Sequence, residues 1–174
     1  MMRTESLRLA GMIKKGVRDQ SPGGKKLKPL AELTKKLKGS SKALIDKGDL
    51  LNSINTMKVS QLTTFIGVNK NKRGQSGQEL MNIAEIMENG TKPFKIKVTK
   101  KMRGFWFHLF KKGFVKAPMK ASTKEINHPG VPARPFMTPS YEEWSKDVDK
   151  NAAKIFDARL SKYLAAGSKW RKVR

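Results

Sequence analysis

The side chains that usually carry chemistry are sparse here. The two histidines, His108 and His128, stand twenty positions apart, and neither lies at ligand spacing to another His, Asp or Glu. There is no cysteine, hence no disulfide, thiolate nucleophile or thiolate metal site. Glu85 and Glu88 fall i, i+3 on one helical pattern. Paired carboxylates at that spacing can do acid–base work, and solvated helix charges produce the same spacing. No G-x-S-x-G, Walker loop or dinucleotide fingerprint occurs, and "GKKLKP" lacks the glycine spacing and the Ser or Thr of a phosphate loop. These residues predict no enzyme, no cofactor and no metal.

The basic residues say more. Among 174 residues, 38 Lys and Arg oppose 14 Asp and Glu, a formal net charge of +24. Self-repulsion at that charge disfavours a lone compact chain and is relieved by a polyanion or an acidic surface. Between Glu88 and Glu125 no acid occurs, while eleven Lys and Arg are interleaved with Phe94, Phe105, Trp106, Phe107, Phe110 and Phe114. Cations beside aromatics suit phosphate contact and base stacking. A hairpin with core aromatics and solvated lysines would read the same way. Lys95, Lys97, Lys100, Lys101, Arg103, Lys111 and Lys112 are the candidates to face DNA or a partner. A channel around duplex DNA needs only such diffuse positive lining, without base readout.

A second cluster is "HPGVPARPFMTPS", residues 128–140. Pro129, Pro132, Pro135 and Pro139 each hold φ near −65° and push the preceding residue towards extended geometry. The stretch should be a stiff strap that sets where the next element begins. Arg134 on it can aim a planar fork at a carboxylate or at carbonyls, and Phe136 can plug an apolar gap.

The elements that must hold these residues follow from periodicity. Residues 4–18 are near helical spacing in Leu7, Leu9, Ala10, Ile13 and Val17, and "QSPGGKK" ends that helix. "PLAELTKKLK" (29–38) predicts a short helix opened by Pro29. Residues 43–54 predict a helical turn around Leu50 and Leu51 leading into a strand. "TMKVSQLTTFIGV" (56–68) predicts two tightly joined strands. Residues 69–78 predict a mobile polar tip. Leu80, Ile83, Ala84 and Met87 predict a helix over 79–89 stopped by Asn89-Gly90. "FKIKV" (94–98) and "GFWFHLF" (104–110) predict strands, the second unusually aromatic. Thr138 as N-cap and Pro139 as first helical residue open a continuous helix over 139–165, closed by Gly167.

The fold class expected is α+β: a small antiparallel β-sheet packed by helices, with a long C-terminal helix and a basic hairpin or loop insert. Residues 1–28 are expected to form a basic N-terminal helix or arm, 29–166 a single domain, and 167–174 a basic tail. No run of about eighteen apolar residues occurs, and the first residues are too polar for a signal peptide.

Three segments together resemble one family. "HPGVPARPFMTPS" is similar to the "PG-x-PARPF-x-x-P" signature of phage head–tail joining and tail-completion proteins of the virion-morphogenesis type. "LIDKGDLLNSI" resembles that family's "L-x-x-[TS]-G-x-L-x-x-S-I", with Lys47 where a small Thr or Ser is usual. "NIAEIMENGTKPF" resembles its "A-x-x-x-E-x-GT". The basic stretch 99–124 departs from the pattern as an insert.

The resemblance implies a structural virion protein without catalysis. It would form a homo-oligomeric ring, sixfold rather than twelvefold, at the neck or tail end. The ring would join tail-tube and head-connector proteins around genomic DNA, assembled in the host cytoplasm and with no membrane. It implies that Pro132, Ala133, Arg134, Pro135, Phe136, Glu88 and Gly90 position the subunit interface or the base of the last helix. Arg134→Ala should then leave the monomer folded and block completed virions. A free-standing basic nucleic-acid-binding protein is the alternative, and a small basic nuclease a third reading that lacks an acidic metal cluster.

Overall fold

The computed structural model describes residues 2–170, with side-chain surroundings over 3–165. The fold is α+β. Seven helices run α1 Met2–Arg18, α2 Glu32–Lys38, α3 Asp49–Ser53, α4 Leu80–Asn89, α5 Lys100–Lys111, α6 Thr138–Ser145 and α7 Val148–Trp170. Four strands are interspersed: β1 Ile54–Lys58, β2 Thr64–Val68, β3 Phe94–Lys97 and β4 Glu125–His128. They pair as two separate antiparallel ribbons, β1 with β2 (Ile54 opposite Val68) and β3 with β4 (Phe94 opposite His128).

One core gathers the first ribbon and most helices. Leu9, Ile13 and Val17 of α1 meet Leu50 and Leu51 of α3, Ile54 of β1, Val68 of β2, Leu80 and Ala84 of α4, and Phe136 of the strap. The segment 1–28, expected as a basic helix or arm, holds helix α1 and supplies Leu9, Ile13 and Val17 to this core. Three apolar residues on one face of α1 are too much apolar surface to leave in water, at about 1.5–3 kcal/mol each. A 3₁₀ turn, Pro22–Gly24, folds back between α1 and α6. The approach is close: a Cβ on Gly23 (φ 56°) would meet the Pro139 carbonyl oxygen at 2.1 Å.

Several sequence expectations change. Residues 104–110 lie in helix α5, not a strand. Thr99 caps α5 by accepting the Met102 N–H at 3.2 Å, and Met102, Trp106 and Leu109 follow at i, i+4, i+7 on its inner side. That helical face outweighs the local strand preference of four aromatics in six residues. The long helix predicted over 139–165 is broken at Lys146 and Asp147 into α6 and α7. The break turns Asp147 onto α1, where Arg8 Nη2 donates to its Oδ1 at 2.7 Å. α7 then passes through Gly167, the predicted stop, to Trp170. Of the predicted tail, 167–170 are helical and 171–174 lie outside the described residues. Finally, α2 begins at Glu32, not Pro29. Within the 69–78 tip, predicted to be mobile, the Gln75 N–H donates to Asp49 Oδ2 at 2.8 Å.

Candidate functional site

The strap residues come together on the C-terminal end of α4. Gly90 (φ 74°) ends that helix, donating its N–H to Ile86. Its missing Cβ makes room for the strap: a Cβ there would lie 2.7 Å from the Val131 oxygen and 2.9 Å from the Ala133 nitrogen. Thr91 and Val131 exchange two hydrogen bonds, through the Thr91 N–H (2.9 Å) and the Thr91 hydroxyl (2.8 Å). The Arg134 N–H donates to Met87 at 2.7 Å. These bonds hold the strap against the C-terminal end of α4.

Arg134 and Phe136 then face inward. Arg134 is 7% exposed, and its Nε and Nη2 donate to the carbonyls of Lys28 and Pro29, each at 2.8 Å. It uses its fork on two successive carbonyls of the segment entering α2. Phe136 is 0% exposed within the core. Pro132 and Pro135 are exposed and Ala133 is half-buried. The side chains in this motif that can reach a neighbour are therefore the prolines, while Arg134 and Phe136 hold the chain's own fold.

Glu88 does something that its sequence neighbourhood does not announce. Its Oε2 accepts the N–H groups of Phe136 (2.9 Å) and Met137 (3.0 Å), and its Oε1 accepts that of Thr138 (2.8 Å). One carboxylate on α4 thus caps α6, which starts at Thr138 and has no side-chain cap of its own. Thr138, expected as the N-cap, yields that role to Glu88. Half-burial alone would raise the Glu88 pKa. The Thr138 hydroxyl and the three N–H groups outweigh that and hold it below the ordinary value. Glu85 is exposed, whereas Glu88 is engaged with the head of α6.

A second lock joins α1 to the α6–α7 bend. Glu5 accepts from Arg8 Nε (2.9 Å) and from the indole N–H of Trp144 (3.0 Å), while Arg8 also holds Asp147. The bond from Arg8 keeps the Asp147 carboxyl below its usual pKa. Glu5 and Arg8 are legible in the sequence only as helix charges; their partners lie 139 residues away.

The basic candidates lie on β3 and on and beside α5, in the segment running from β3 to β4. Lys97, Lys100, Lys101 and Lys112 are exposed, and Lys95 lies 3.7 Å from Glu125 across the ribbon. Lys100 and Lys101 sit in the first turn of α5 with no acid beside them, against the sense of the helix dipole. Lys111 lies over the exposed ring of Phe107, 5.0 Å from its centroid. Arg103 departs from the set, because its guanidinium is tied to the carbonyls of Lys120, Ala121 and Thr123 and pins the loop after α5. His128 stacks on Phe94 with centroids 4.8 Å apart and accepts the Gly130 N–H, and His108 is exposed on α5. Among the described residues no cluster of His, Asp and Glu could hold a metal ion, and no helix is long and apolar enough to cross a membrane.

Much apolar surface remains open. The chain exposes 13043 Å². A compact monomer of 19.6 kDa exposes about 8,600 Å². Phe156, Leu160, Tyr163 and Leu164 stand in solvent along α7, and Met57, Val59 and Leu62 at the end of the first ribbon. No protein-family model, no curated protein and no solved structure matches the chain.

Proposed function

We propose that this chain is a structural virion protein of a tailed bacteriophage. It forms a ring, a hexamer, at the neck or tail end, completes the tail and joins it to the head connector around the DNA channel. The observation that carries the reading is the surface excess: about half as much area again as a compact monomer of this mass exposes. Much of it is apolar and lies on elements that leave the core, as expected of a subunit completed by its neighbours. The strap supports the same reading. Its "PARPF" motif docks on α4, and through Glu88 sets the start and direction of α6, from which α7 projects.

In the ring, identical copies meet through a heterologous interface whose rotation closes. The unpaired lysines of the β3–α5–β4 unit face the genome or the acidic surfaces of adjacent virion rings, where diffuse positive charge suffices. No catalytic step is part of the role.

Electron microscopy of the purified chain, with native mass measurement, tests this. Annular particles of about six copies are expected, and a phage lacking the gene should accumulate filled heads and unattached tails. A chain monomeric at every concentration, with fully joined virions in its absence, overturns the proposal. The acid-free run between Glu88 and Glu125 favours one other reading, a free-standing nucleic-acid-binding protein. That protein would bind DNA as a monomer, with an affinity falling steeply with salt.

A further inference from the structure

Two features of one chain are complementary. The first is the outer part of α7. From Phe156 to Ala165 every residue is exposed. Within that span Phe156, Leu160, Tyr163 and Leu164 recur at i, i+4, i+7, i+8, a single apolar stripe on a helix of 23 residues, about 34 Å long. Tyr163 is 77% exposed. Arg159 lies on the stripe's margin, three residues after Phe156 and four before Tyr163.

The second is a cleft of about 510 Å³ between α2, α3, α4 and the segment joining α2 to α3. Leu30, Leu37, Leu44, Ile45, Ile83 and Met87 are its apolar lining. Asp46 and Asp49 lie at it together with Lys38, Lys47 and Arg134, so two acids nearly offset three bases on a chain that carries +24. Asp46 makes no salt bridge among the described residues.

From this pairing we infer that the α7 stripe of one copy docks in the α2–α3–α4 cleft of the next copy, with Arg159 against Asp46. The inference rests on the ring reading and names the interface that closes it. A second copy is the fitting occupant on three grounds. An apolar cleft between helices is the kind of site an amphipathic helix fills, and the chain itself presents an exposed one with anchors at the required spacing. A strongly positive chain approaches its own kind most readily where its charge is locally lowest, and this cleft, with two acids against three bases, is such a place. A protruding rod and a recess on one subunit make a head-to-tail interface, which generates rings.

The chain has no cysteine, so engineered thiols report one pairing at a time. Leu37 and Leu160 are both substantially exposed and can be changed without disturbing the core. Full-length L37C/L160C should give, on mild oxidation, a ladder of disulfide-linked multimers, while each single variant gives none. Arg159→Glu and Asp46→Lys should each weaken self-association at least tenfold by sedimentation, and the double variant should recover most of it. A cross-link confined to single chains would show α7 folding back into its own cleft. L160C forming dimers alone would put α7 against α7. Either result overturns the docking, as do charge variants that assemble like the wild type. Rings that persist through all these variants leave the ring reading standing, whereas a wild-type chain monomeric in every experiment removes both.

Discussion

Glu88 and Thr138 are fifty residues apart, yet the Thr138 N–H donates to Glu88 Oε1 at 2.8 Å, beside two further N–H groups held by the same carboxylate. The end of α4 and the start of α6 are thereby one structural unit. Replacing Glu88 with Ala leaves three donors at the head of α6 without their acceptor, at a cost of about 1–3 kcal/mol. Chemical denaturation should show a lower midpoint with an unchanged slope.

The same carboxylate predicts a pH dependence. Its folded pKa lies below the ordinary value, so in that window the unfolded chain binds more protons and stability rises with pH. The contribution is complete above the usual glutamate range and is lost as pH falls through the lowered value. Glu88→Gln should therefore differ most from the wild type near neutrality. The gap should close on acidification in a pH series of melting curves.

Arg134 is expected to be a stability residue. Its Nε and Nη2 satisfy the carbonyls of Lys28 and Pro29, and burial leaves water little access. Arg134→Ala should cost on the order of 1–3 kcal/mol for each carbonyl left bare. On sequence grounds alone that variant would fold normally; the inward fork argues otherwise. Arg134→Lys should recover only part of the loss, since an ammonium lacks the planar fork that spans both oxygens. Thermal melts of the three proteins decide it.

Gly90 allows the strap to lie on α4. Gly90→Ala puts a Cβ 2.7 Å from the Val131 oxygen at a φ of 74°. A loss of about 1–3 kcal/mol is expected from backbone strain alone. Hydrogen exchange should rise at Thr91, Val131 and Arg134, whose N–H groups hold the docked strap. Unchanged protection there would show that the strap does not depend on this approach.

Any binding of nucleic acid by α5 should be electrostatic. Removing Lys100, Lys101 or Lys112 should weaken DNA binding alike for all sequences and reduce the salt slope by about one unit for each phosphate no longer neutralised. Arg103→Ala should instead loosen the 117–124 loop, which proteolysis would detect, because its fork is engaged with that loop's carbonyls. Binding measured across a salt series separates the two classes.

Local patterns carried the α+β class, helices α1 and α4, the first ribbon and the stop at Gly90. Each depends on spacing or on the φ of Pro and Gly within a few residues, so composition and periodicity suffice. Glu88 as cap of α6, Arg134 turned onto Lys28 and Pro29, and Arg8 gripping Asp147 join residues 48 to 139 positions apart, and nothing local encodes which distant group will arrive. The aromatic run in α5 shows the same division. Its residue types favour strand, but Thr99 caps it and the face made by Met102, Trp106 and Leu109 turns inward, with Leu109 fully buried, so the run is a helix. Composition and spacing settle which segments are charged, periodic or rich in proline. Tertiary structure alone decided where the strap's arginine points, where the last helix bends, and which apolar faces are left open, because those are settled by long-range packing competition.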